Sequence, residues 1–179
     1  MYLISAYFDE KTNRTIERWI EGVARASGNH FMPEHNVPPH LTVSAFDARD
    51  PEPVLRSMDR AKTEFASGEV EIVSFGCFLP YVMYVTPVLD RYLRGLARDV
   101  YEDIIGNTED DSIGIRINRF YDPDKWFPHI TIGKTLEEEQ MKLAFAYMQK
   151  TFVPIKGRIV ELGLAKTNPH EDLLRFSLN

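Results

Sequence analysis

Residues 37–46 read VPPHLTVSAF: a histidine heads a strand-like run, two prolines precede it, and a threonine follows two places later. Residues 126–132 repeat the arrangement as WFPHITI, so His40 and His129 stand half a chain apart in 179 residues. The elements around the two stretches repeat as well. Residues 2–8 are aromatic and β-branched and predict a strand. Ile16, Trp19, Ile20 and Val23 recur at helical spacing and predict a helix over 11–27, ended by Gly28. A loop with Pro33, Pro38 and Pro39, which bar a helix there, leads to the strand 40–46. Asp50 and Pro51 then open a helix with Val54, Met58, Ala61 and Phe65 on its apolar face. Strands near 69–79 and 81–86 follow, turned at Pro80.

The second half runs in the same order. Leu89, Leu93, Leu96, Val100 and Ile104 form a helical stripe, and a long polar loop leads to the strand 127–132. Thr135 and Glu138 predict a capping box for a helix burying Met141, Ala144, Phe145, Met148 and Phe152. Strands at 157–166 and 173–178, turned at TNPHED, close the chain. The expectation is a single α+β domain over 1–179, an internal duplication with pseudo-repeats of about 1–86 and 81–179. Its two antiparallel-sheet lobes would carry helices outside and face each other across a central cleft.

Composition narrows the function classes. The chain is 44% hydrophobic and 27% charged, ordinary for a globular protein. No apolar run approaches the ~20 residues that cross a bilayer. The start, MYLISAYFDEK, has neither a basic leader nor a long apolar segment, so no secretory signal is expected. Cys77 is the only cysteine, which excludes an internal disulfide and fits a reducing, cytoplasmic setting. A net charge of −6 weighs against coating long nucleic acid, but leaves room for a cleft that takes a nucleotide or an RNA end.

Alternation along a strand puts Leu41, Val43 and Ala45 on one face and His40, Thr42 and Ser44 on the other. The same rule puts Ile130 and Ile132 inward, with His129, Thr131 and the bare backbone of Gly133 opposite. Each half therefore offers an imidazole and a hydroxyl about 7 Å apart along one strand face. Such a set suits acid–base work on a phosphoester. Imidazoles titrate near neutrality, so one accepts a proton while its twin donates one. The threonine hydroxyls can bond non-bridging oxygens as charge builds.

The spaced pair His40-Leu41-Thr42-Val43 and His129-Ile130-Thr131-Ile132 resembles the double H-x-T-x motif of the two-histidine (2H) phosphoesterases, which include the 2′-5′ RNA ligase-like and 2′,3′-cyclic phosphodiesterase proteins. The resemblance implies a bilobal α+β fold with both motifs lining a cleft. It implies hydrolysis of a cyclic phosphodiester on an RNA end or small nucleotide, with no metal and no cofactor. His40 would be the proton donor, His129 the base, and Thr42 and Thr131 the phosphate holders. Lys134, three beyond Thr131, matches a position where many relatives have Arg or Lys and would bind substrate. After the first motif the run SAF offers no basic residue. Alternatives are 2′-5′ RNA end joining by the reverse chemistry, and a module that binds an RNA end without turnover.

The other candidates read as structural. His30 and His35 precede His40 at steps of five, which gives no shared face for a metal, and both read as exposed loop residues, as does His170. Arg116, Arg119, Tyr121 and Trp126 lie on the long loop before the second motif, where bases could stack. Glu109, Asp110, Asp111, Asp122 and Asp124 on the same loop favour a solvated segment. Tyr7, Phe8, Tyr84 and Phe127 on strands read as core, and Cys77 as a small buried hydrophobe.

Overall fold

The computed structural model describes residues 1–105, 114–167 and 171–179. The acidic positions Glu109, Asp110 and Asp111 and the turn residue His170 lie outside the described residues. The element order is β1 (Tyr2–Phe8), α1 (Glu10–Ser27), α2 (Phe31–Glu34), β2 (Leu41–Asp47), α3 (Glu52–Ala61), β3 (Gly68–Phe78), β4 (Val82–Pro87), α4 (Arg91–Ile105), β5 (Arg116–Ile117), β6 (Ile130–Gly133), α5 (Glu138–Thr151), β7 (Ile155–Lys166) and β8 (Glu171–Ser177). A single 3-10 turn spans Arg119–Tyr121. Asp9 caps α1 by accepting from the Thr12 amide at 2.8 Å, and Gly28 ends it with φ 72°, where a side chain would be strained.

All the strands pair antiparallel in one sheet of order β5-β2-β1-β7-β3-β4-β6, with β8 added to the edge of β7. The halves of this sheet are not the expected repeats of about 1–86 and 81–179: β5 from the second part of the chain joins β2 and β1, and β3 and β4 from the first part join β6. Strand β7 serves both: Ile155–Ile159 pairs with β3, and Ile159–Lys166 pairs with β1. From β2 to β6 the order is the same from either end if β2 is matched with β6, β1 with β4 and β7 with β3. The helices cross over. α1, which follows β1, packs on β6 and α5, whereas α4, from the second half, packs on β2. Each motif strand is thus backed by a helix from the other half of the chain. Leu41, Val43, Ile130 and Ile132 fill those contacts and are at most 1% exposed. Burying each such side chain contributes roughly 1.5–3 kcal/mol.

Local departures from the sequence expectations have physical causes. A one-turn helix forms at Phe31–Glu34 despite Pro33. Proline is tolerated there because the first amides of a helix have no intrahelical partner to lose. The capping box of α5 is made by Glu137 and Gln140 instead of Thr135 and Glu138. The Gln140 side chain accepts from the Glu137 amide at 3.0 Å. Thr135 sits at φ 57° with its hydroxyl turned to the Lys134 carbonyl, outside cap geometry. Phe145 is 39% exposed, leaning on Phe75 at a ring distance of 5.0 Å rather than entering the core. Finally, the β4–β6 register slips between Thr131 and Gly133. A Cβ at Gly133 would meet Leu136 at 2.8 Å and Val23 of α1 at 3.1 Å, so this position faces the helices and not the face of Thr131. Strict alternation missed that bulge.

Candidate active site

Each motif histidine is held in the same way. His40 Nδ1 lies 2.8 Å from the carbonyl oxygen of Pro38, and His129 Nδ1 lies 2.9 Å from that of Phe127. A carbonyl only accepts, so in the neutral ring Nδ1 carries the proton and Nε2 the lone pair. Between each histidine and its carbonyl stands a proline, Pro39 or Pro128. Proline fixes its own φ and keeps the residue before it extended, which sets the direction of that residue's carbonyl. The prolines of the motif stretches therefore orient the imidazoles. The carbonyl of Pro128 is itself tied by the Thr86 hydroxyl at 2.8 Å.

The sheet curls far enough that Cα atoms of β2 and β6 come within 8 Å of one another, although the two strands are five places apart in the sheet order. The long loop before the second motif completes this approach. The Trp126 indole N–H donates to the Thr42 carbonyl at 3.1 Å, the Asn118 amide donates to the Ala45 carbonyl at 2.8 Å, and the Tyr121 hydroxyl lies beside the Thr42 side chain. The face of β2 that carries Thr42 is consequently covered, leaving Thr42 8% exposed. A bulge at Val43 pairs Thr42 with Ser5 but Ser44 with the core residue Ile4, so Ser44 leaves the face that alternation gave it; it is 1% exposed and its Oγ lacks a hydrogen-bond partner among the described residues. The sequence favoured a solvated loop. Instead Trp126 is 4% exposed, and burial raises the pKa of the Tyr121 phenol above its usual range while the Thr42 side chain beside it opposes that shift.

The surroundings of the two imidazoles differ. His129 is half-buried among aromatic rings, with Phe78 edge-on at 4.9 Å, Tyr84 at 5.8 Å and Phe127 roughly parallel at 6.3 Å. Burial pushes its pKa below the ordinary histidine value, and the bond to the Phe127 carbonyl only partly offsets this. A groove of about 430 Å³ opens beside it, lined by Phe78, Asn118, Phe120, Tyr121, Lys125, Trp126 and Phe127. Phe78, Phe120 and Phe127 keep 41%, 63% and 46% of their surface exposed, leaving ring faces for a ligand. His40 has Tyr7 at 6.4 Å.

The whole chain takes its place once this geometry is compared with known proteins. Residues 12–171 match the 2′-5′ RNA ligase superfamily. The chain belongs to that family. Among solved structures, the 2′-5′ RNA ligase superfamily member described here resembles TT0787 of Thermus thermophilus, with TM-score 0.63 and 17% identity over 99% of this chain and 97% of that one. It also resembles E. coli LigT complexed with 3′-AMP, with TM-score 0.53 and 15% identity over 99% and 96% of the two chains. The MHV ns2 PDE domain aligns with TM-score 0.57 and 13% identity over 99% of each chain. At these identities the likeness is one of fold. No curated protein matches the chain.

The remaining predicted residues of this superfamily member are distributed as follows. Thr131 stands on β6, half-buried, paired with Tyr84. Lys134 is not brought to the motif face: its ammonium lies 5.6 Å from the Phe31 ring at α2. His30 is exposed, and His35 stacks on Phe31 at 4.0 Å with its Nδ1 bonded to the Phe31 carbonyl. Among the described residues, no three His, Cys, Asp or Glu side chains group to hold a metal, and no helix is long and apolar enough to cross a membrane. Phe8 belongs to the core as expected, and Cys77 is half-buried against it. The sequence offered Tyr121 and Trp126 for stacking but favoured a solvated loop, whereas Phe78 and Phe120 are groups beside the motifs that sequence pattern did not single out for the site. Only their aromatic character on a long loop and a hairpin tip hinted at them.

Proposed function

We propose that this member of the 2′-5′ RNA ligase superfamily is a metal-independent phosphodiester hydrolase that opens 2′,3′-cyclic phosphates on RNA ends or small nucleotides. The observation that carries this reading is the matched pair of Nδ1-anchored histidines, each followed two places on by a threonine. His129 acts as the base: burial keeps its ring neutral, and Nε2 takes a proton from water as the water oxygen attacks phosphorus. His40 gives a proton to the ribose oxygen as its bond to phosphorus breaks, so the proton taken up and the proton given balance over the cycle. Thr42 and Thr131 donate hydrogen bonds to the non-bridging oxygens. The Phe78, Phe120 and Phe127 rings of the groove hold the nucleobase, where stacking on an aromatic ring is worth about 1–3 kcal/mol per base.

The test is hydrolysis of nucleoside 2′,3′-cyclic phosphates and cyclic-phosphate-ended oligonucleotides, in EDTA, by wild type, His40→Ala and His129→Ala. Turnover in wild type that falls by about 10²-fold or more in each variant is expected, roughly the contribution of a positioned acid or base. An enzyme silent on every substrate that still holds oligonucleotide ends would overturn hydrolysis and leave a binding module. Joining of cyclic-phosphate and 5′-hydroxyl ends in preference to hydrolysis would establish the reverse reaction.

A further inference from the structure

The first motif lacks a basic neighbour in sequence, but the sheet register supplies one from the last strand. Thr42 pairs with Ser5, Ser5 with Gly163, and Gly163 with Arg175. Directly paired residues of antiparallel strands share a face, so Arg175 stands on the same face as Thr42 and, by alternation, His40 and Tyr7. Gly163 leaves the space between them open. A Cβ there would lie 3.1 Å from Tyr7 Cε2 and 3.6 Å from Arg175 Cγ. Through that space the Arg175 guanidinium lies over the Tyr7 ring, its Cζ 3.9 Å from the centroid, and the Tyr7 ring is in turn 6.4 Å from the ring of His40. Arg175 is steadied by Glu161, at 2.8 Å from Nε and 2.7 Å from Nη2.

Strand β1, which carries Tyr7, lies between the strand of His40 and those of Gly163 and Arg175, so the Tyr7 ring stands between the guanidinium and His40. The Arg175 side chain is 41% exposed and that of Glu161 is 32% exposed. Exposed pairs of this kind hold by little, and a guanidinium can exchange one carboxylate oxygen for the fork of a phosphate. Glu161 and Asp172 are the acidic groups that also bear on Tyr7. They disfavour loosely held anions, so a second phosphate needs the directed contact that Arg175 provides.

We infer that Arg175 binds a second phosphate of the substrate, the one on the 5′ side of the nucleotide whose cyclic phosphate lies between the histidines. This rests on the function proposed above and narrows the substrate class to nucleotides carrying a 5′-phosphate or a 5′-linked chain. The test compares a nucleoside 2′,3′-cyclic phosphate with and without a 5′-phosphate, reading the ratio of their kcat/KM values. Wild type prefers the 5′-phosphorylated substrate by about tenfold, the size of one charge-assisted contact. Arg175→Gln brings the ratio to about one, and Glu161→Gln, which releases the guanidinium, raises it. A wild-type ratio near one overturns the inference, as does an Arg175→Gln ratio equal to that of wild type, including equal losses on both substrates. Calorimetric binding of nucleoside 3′-monophosphates with and without a 5′-phosphate to His129→Ala reads the same preference without turnover. A preference there that Arg175→Gln removes upholds Arg175 even if hydrolysis fails.

Discussion

Replacing Trp126 with phenylalanine probes the junction between the two motifs. Trp126 is 4% exposed, and its indole N–H donates to the Thr42 carbonyl at 3.1 Å, 84 residues away in the chain. Phenylalanine keeps one ring in place but removes the donor and part of the volume. The lost hydrogen bond costs about 0.5–1.5 kcal/mol. The gap left by the smaller ring adds about 1–2 kcal/mol, at the lower end for large-to-small core changes. A total of about 1.5–3.5 kcal/mol lowers Tm by about 3–14 °C in a chain of this length. Thermal unfolding followed by far-ultraviolet circular dichroism measures it. Because the bond holds the backbone of Thr42, turnover well below the transition also falls. A Tm within about 1 °C of wild type, with unchanged kcat, would refute the idea that this loop pins the first motif.

Tyr121→Phe removes the hydroxyl beside Thr42 while keeping the ring, so kcat falls about 3- to 10-fold with little change in Tm, as read by steady-state kinetics beside a melt. The His129 resonance, followed by NMR titration, has its midpoint below the usual ~6.5 because burial disfavours the charged ring; a midpoint above it contradicts the described surroundings. The folded His129 binds protons less readily than the unfolded chain does. Its stabilising contribution is therefore present above the unfolded pKa and is lost as pH falls towards the lowered folded value, which denaturant melts across that window detect. Gly163→Ala puts a Cβ 3.0 Å from the Leu174 carbonyl and 3.1 Å from Tyr7, so it costs about 1–3 kcal/mol in urea unfolding; a neutral result means that the two strands yield freely.

The placement of each motif histidine and threonine along one strand was legible because one short stretch carries both residue types and the strand period. The proline before each histidine was legible as a restriction, but its use, aiming the preceding carbonyl at Nδ1, emerged only from coordinates. Nothing periodic links Tyr121 or Trp126 to Thr42, since a loop contact across such a distance in the chain leaves no pattern in either segment. Arg175 was hidden for a related reason: its relation to Thr42 passes through three successive strand pairings, two of them at Gly163. The bulges at Val43 and after Thr131 defeated simple alternation in both motif strands, because register slips are set by the partner strand and not by the slipping one.

Strand β7 has a consequence for the order in which this protein can be built. β1 finds its central partner only at Ile159–Lys166, and β3 finds its own at Ile155–Ile159. Neither half-sheet can close while the ribosome still holds those residues, so β1 to β6 must wait, with edges unpaired, until β7 has emerged. Chains that rely on such distant pairings fold slowly and spend longer exposed to aggregation. A cut in the middle of the sequence would not free two lobes either, since each fragment would carry strands belonging to both. The two motif strands, β2 and β6, thus take their places in one sheet that β7 joins last.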